Sequence, residues 1–65
     1  MNILVINGDL MTRVRILLLF WGRTHTVITK STDVGSSRLC ERWKPDAIIY
    51  DLATAQEIAS KKNLP

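Results

Sequence analysis

Two short runs constrain this chain more than anything else in it. Ile3-Leu4-Val5-Ile6 and Ala47-Ile48-Ile49-Tyr50 are apolar or aromatic at every position, with no alternation. The first leads through an Asn7-Gly8 turn into Asp9, and the second leads directly into Asp51. A strand whose successive side chains all avoid water needs cover on both faces. The interior of a parallel sheet supplies that cover, whereas a half-exposed antiparallel sheet does not. Parallel neighbours require crossover connections, so helices must lie between the strands.

The intervening residues read that way. Asp9 suits an N-cap, its carboxylate taking orphan backbone N–H groups of a helix from about Leu10 to Trp21, and Gly22 suits the stop. Within it Leu10, Val14, Leu17, Leu18 and Trp21 recur at helical spacing and are predicted to face the sheet, with Arg13 and Arg15 outward. Leu19 and Phe20 make the last turn apolar on a second side. His25-Thr26-Val27-Ile28-Thr29 reads as a less apolar strand, which fits an edge. After Ser31-Thr32-Asp33, a second helix over about Val34–Trp43 turns Val34, Leu39, Cys40 and Trp43 to one side. Lys44-Pro45-Asp46 ends it, because the residue before proline is pushed out of the helical region. A third helix over about Thr54–Lys62 follows Asp51, with Thr54 as its cap and Lys61 and Lys62 at its negative end.

The chain is therefore expected to be one α/β domain over residues 1–65, with β-α-β-α-β-α topology and a three-stranded parallel sheet of order 2-1-3. Right-handed crossovers place the first helix on one face and the other two on the opposite face. The order reverses between the first and third strands. In such sheets ligands bind outside the carboxyl ends of the strands at that reversal, and Asp9 and Asp51 belong there.

Size and charge narrow the function. At 65 residues the core is thin, and the single Cys40 allows neither an intramolecular disulfide nor a Cys-rich zinc site. Self-association is the remaining way to add buried surface. The net charge of +3 comes from scattered lysines and arginines with no run of like charges, so no specific nucleic-acid partner is expected. The most apolar stretch, Ile16 to Trp21, is far short of the ~20 residues that span a bilayer, and it lacks the pattern of a signal peptide. A soluble, cytoplasmic chain is expected. No phosphate-binding glycine motif is present around Gly8. His25 has no acidic or thiol partner at metal-binding spacing, so a structural role is expected. Cys40 is expected to be an inert, buried thiol. Trp21 and Trp43 suit core or interface anchors.

Asp9 and Asp51, 42 positions apart, stand at the same rim. Two carboxylates there could hold a divalent cation, and one could accept a phosphoryl group. Each could equally cap its helix. With Ile3-Leu4-Val5-Ile6-Asn7-Gly8-Asp9, the segment Trp21-Gly22 through Ile28, and Lys44-Pro45-Asp46-Ala47-Ile48-Ile49-Tyr50-Asp51-Leu52 taken together, residues 1–52 resemble a response-regulator receiver domain. The resemblance implies a flavodoxin-like fold, a phosphoacceptor at Asp51, and Mg²⁺ held by Asp9 and Asp51. It also implies a histidine kinase or a full-length regulator as partner. The family carries two adjacent acidic residues after the first strand. Here Gly8 stands in the first place, which should weaken Mg²⁺ binding. The family continues with two more strands and helices that carry a Ser/Thr and a Lys for the phosphoryl oxygens, and this sequence stops after the third unit. Leu52-Ala53-Thr54-Ala55 also lacks the family's Met-Pro and Gly pattern. The expectation is a non-enzymatic signalling or interaction module with impaired phosphoacceptor chemistry.

Lys44 to Asp51, followed by Ile58 to Pro65, is also similar to the N-terminal half of a nucleotide-sugar glycosyltransferase, although the segment before it is short for that family. A small non-catalytic scaffold is the third alternative. A sheet that ends at its third strand leaves that strand as an edge and apolar surface uncovered. A homodimer is expected, formed by pairing those edges or by packing uncovered faces, with Phe20, Trp21, Ile48 and Tyr50 at the interface.

Overall fold

The computed structural model describes residues 1–21 and 24–61. The expected stop at Gly22 and the residues from Lys62 onward lie outside them. The elements are β1 (Asn2–Ile6), α1 (Leu10–Leu19), β2 (Thr26–Lys30), α2 (Ser36–Trp43), β3 (Ala47–Ile49) and α3 (Leu52–Lys61). The three strands form one parallel sheet in the order β2-β1-β3, as the apolar runs require. Ile3 through Ile6 are all buried, because β1 is central and covered on both sides.

The register separates the two faces. Ile3 pairs with Val27 and Ala47, and Val5 pairs with Ile49, so these side chains share one face. Leu4 pairs with Ile28 and Ile48 on the other. On the first face Ile3, Val5 and Ile49 join Ile16 and Phe20 of the α1 segment and Ala55 of α3 in one buried cluster. Leu19, Leu52, Ile58 and Ala59 pack around it. α2 brings Leu39, Cys40 and Trp43 only to half-burial and contributes no fully buried side chain.

This arrangement corrects the expected layering. α3 packs beside α1, on the same face of the sheet, and not beside α2. The right-handed rule governs a helix held between two parallel strands, as α1 and α2 are. No strand follows α3 among the described residues, so packing alone decides its side. Ala55 and Ala59 are small, and they let α3 approach the cluster built around Phe20 and Ile16.

α1 also turns a different side inward from the one expected. Ile16 and Phe20 are buried, whereas Leu10, Val14, Leu18 and Trp21 are exposed. The helix carries two apolar stripes, and its first turn selects between them. Asp9 caps it through Thr12, and the Arg13 guanidinium returns to the carbonyl oxygen of Asn7. Positions 9, 13, 16 and 20 lie along one side, so these polar bonds roll Ile16 and Phe20 onto the sheet. Arg13 accordingly does not point outward.

Smaller boundaries shift as well. β3 is three residues long, and Tyr50 lies outside it. α2 begins at Ser36 after Gly35, whose φ of 78° is left-handed, and Val34 is exposed before it. Lys44 closes α2 in the left-handed region, with φ 53°, just before Pro45. α3 starts at Leu52 and not at Thr54, because Asp51 supplies the cap. Among the described residues no helix is long and apolar enough to cross a membrane.

Candidate functional site

The rim at the carboxyl ends of the strands is organised by Asn7, which spends both its backbone and its side chain there. Its backbone N–H donates to the carbonyl oxygen of Lys30 at the end of β2, 3.0 Å away. Its side-chain Nδ2 donates to the carbonyl oxygen of Tyr50, just past β3, at 2.7 Å. Its Oδ1 accepts the backbone N–H of Asp9 at 2.8 Å, an Asx turn that shapes Asn7-Gly8-Asp9. Its own carbonyl accepts from Nη1 of Arg13 at 2.6 Å. One residue thus ties the end of β1 to β2, to β3 and to α1. Sequence reasoning placed Asn7 only in a turn. The Asn-Gly-Asp triplet after an apolar run was the available signal.

Asp9 and Asp51 flank this knot, and both are exposed. Oδ2 of Asp9 accepts the backbone N–H of Thr12 at 2.9 Å and its hydroxyl at 2.7 Å. The Thr12 hydroxyl and then its N–H hold the Asp9 carboxyl below its ordinary range, with the nearby Arg13 charge acting in the same direction. Oδ1 of Asp51 accepts the backbone N–H of Thr54 at 2.6 Å. The Thr54 backbone and side chain lower its pKa likewise. Each carboxylate caps the helix that follows it.

The donor set fits a resident Mg²⁺ poorly. The ion takes near-octahedral oxygen ligands and is held by carboxylates that must face it together. Here Asp9 and Asp51 each turn an oxygen to their own helix, and the Arg13 guanidinium already brings positive charge to the same rim. No cluster of three or more His, Cys, Asp or Glu residues suited to a metal exists among the described residues. Gly8, where the resemblance expects the first of two acidic residues, has room for a side chain. A Cβ there would meet only the carbonyl oxygen of Ser31, at 3.8 Å, and its φ is not left-handed.

The four residues expected at an interface do not behave alike. Phe20 is 1% exposed and belongs to the core, edge-on to the His25 ring with centroids 5.7 Å apart. It therefore cannot line a surface of the folded chain. Trp21 and Tyr50 are exposed, and Ile48 is 41% exposed on the edge strand β3. His25 Nδ1 lies 3.0 Å from the Met1 amine, a contact consistent with the structural role expected of it. Cys40 is half-buried on α2 and not enclosed in the core.

Compared with protein families, with curated proteins and with solved structures, the chain shows no match.

Proposed function

We propose that this chain is a non-catalytic interaction module on a receiver-like sheet, in which the carboxylates that would carry phosphoryl chemistry serve as helix caps. One observation carries the reading. Asp9 and Asp51 stand at the expected rim, but each is engaged by the threonine three residues on, at 2.6 to 2.9 Å. Phosphoryl transfer depends on positioned charge around the leaving and entering oxygens. Arg13 supplies some positive charge at this rim, yet its guanidinium is committed to the Asn7 carbonyl. Mg²⁺ binding at the rim is correspondingly weak. The functional surface is then apolar, and the partner is a protein: a second copy, a histidine kinase or a full-length regulator.

The test is incubation with Mg²⁺ and a small phosphodonor such as acetyl phosphate, read by intact mass. The expected result is no phosphoryl adduct. A stoichiometric adduct that disappears in Asp51→Asn would refute the proposal.

A further inference from the structure

Three asparagines occur in the chain, and Asn7 alone is followed by glycine. Asparagine is a thermally labile residue. Its weakness is intramolecular, because the backbone nitrogen of the next residue can attack the side-chain carbonyl carbon. A following glycine puts no Cβ beside that nitrogen and leaves the backbone free to turn. Asn2 precedes Ile3 and Asn63 precedes Leu64, and those bulky side chains shield the nitrogen. The fold holds the reaction back at Asn7. Ring closure needs Cγ to swing onto the Gly8 nitrogen and Nδ2 to leave. Nδ2 is instead held by the Tyr50 carbonyl at 2.7 Å, and Oδ1 by the Asp9 N–H at 2.8 Å. The backbone is pinned on both sides as well. The Asn7 N–H donates to Lys30 at 3.0 Å, and the Asn7 carbonyl accepts from Arg13 at 2.6 Å. Both side-chain bonds are exposed to water, so the rim opens at lower cost than the buried cluster around Phe20.

We propose that Asn7 is a site of hydrolytic deamidation, protected while the rim is closed, attacked when it opens, and unable to reclose the rim afterwards. The Gly8 nitrogen gives its proton to solvent base and bonds to Cγ of Asn7. The Cγ–Nδ2 bond breaks, ammonia leaves, and a succinimide ring remains. Water then adds to one of the two ring carbonyl carbons and breaks its bond to the ring nitrogen. Opening at Cγ leaves aspartate at position 7, and opening at the backbone carbon leaves isoaspartate. The sum is one water consumed and one ammonia released, with nothing oxidised or reduced. Either product carries a carboxylate, which has no hydrogen to donate to the Tyr50 carbonyl and repels that oxygen. Isoaspartate also adds a methylene to the main chain between β1 and Gly8, which displaces the Asp9 cap from α1. The tie between β1 and β3 is thus lost in one direction only.

The full chain aged in native buffer and in urea, followed by intact mass and tandem mass spectrometry, tests this. In urea the wild-type chain is expected to gain the mass of an amide-to-acid exchange, mapped to Asn7 as aspartate and isoaspartate, ahead of Asn2 and Asn63. In native buffer the exchange should be severalfold slower. Gly8→Ala, whose Cβ has room in the fold, should slow the exchange severalfold in urea. Asn7→Asp, the aspartate product made genetically, should unfold at a lower urea midpoint than wild type. Equal rates in native buffer and in urea overturn the protection. Exchange at Asn2 or Asn63 in place of Asn7, no exchange at all, or an unchanged rate in Gly8→Ala overturns the site. An unchanged midpoint in Asn7→Asp overturns the loss of the tie. None of these readouts involves Mg²⁺ or a phosphodonor, so they are separate from the phosphoryl test.

Discussion

The side-chain amide of Asn7 donates to the carbonyl oxygen of Tyr50 at 2.7 Å, joining the turn after β1 to the exit of β3. The same side chain accepts from Asp9 N–H, so one amide sets where both candidate carboxylates stand. Asn7→Ala removes both bonds. A net loss of about 1–2 kcal/mol is expected, at ~0.5–1.5 kcal/mol per bond. Urea unfolding should show a lower midpoint with an unchanged slope. An unchanged midpoint would mean that the rim is not held by this residue.

Acid should weaken the fold through the two caps. Both carboxyls have folded pKa values below the ordinary 3.8. A lowered carboxyl pKa contributes stability that is fully present above the unfolded value and is lost as pH falls through the folded one. Stability should therefore be flat in these two groups near neutrality and decline below about pH 4. Asn is as good an N-cap as Asp but does not titrate. The double variant Asp9→Asn, Asp51→Asn should keep most of the stability at pH 7 and lose part of the acid dependence. A double variant with the full acid limb would place that limb on other groups.

Gly8 offers a gain-of-function test. Its Cβ position is open and its backbone unstrained, so Gly8→Asp should fold normally. It places a second carboxylate in the turn beside Asp9. Mg²⁺ affinity should rise, read by isothermal titration calorimetry, and the rise should vanish when Asp51→Asn is added. Equal affinity in wild type and Gly8→Asp would show that carboxylate count is not what limits the rim.

The inward face of α1 can be tested by stability alone. Phe20→Ala opens a cavity in the buried cluster of Ile3, Val5, Ile16, Ile49 and Ala55 and should cost about 3–5 kcal/mol, which a small domain can hardly withstand. Leu18→Ala, on the outer stripe, should change the stability of the monomer by no more than about 0.5 kcal/mol. Equal costs would mean that α1 is rolled differently on the sheet.

The fold was legible where one physical demand dominated. Ile3 to Ile6 had to be a covered central strand, and the sheet order 2-1-3 followed. Asp9 as the cap of α1 was legible for the same reason. The roll of α1 was not. Its two apolar stripes satisfy helical periodicity equally, and the choice falls to bonds made by Arg13 and Asp9 with the β1 turn. The side taken by α3 was hidden because handedness rules act only between two strands. The role of Asn7 was hidden because its partners, Lys30 and Tyr50, are distant in sequence. The carboxylate pair was visible as a pair, but capping and ligation call for the same residues at the same rim. Only the threonine bonds separate them.

The central claim is that the rim carboxylates cap helices and do not assemble a phosphoryl site. Titration with Mg²⁺ and beryllofluoride, a mimic of an acyl phosphate, reads this most directly through backbone amide NMR shifts, with Asp51→Asn as control. The account predicts a well-dispersed spectrum in which the Asp9 and Asp51 amides do not move in a saturable way. Saturable shifts confined to that rim, and lost in Asp51→Asn, would contradict it.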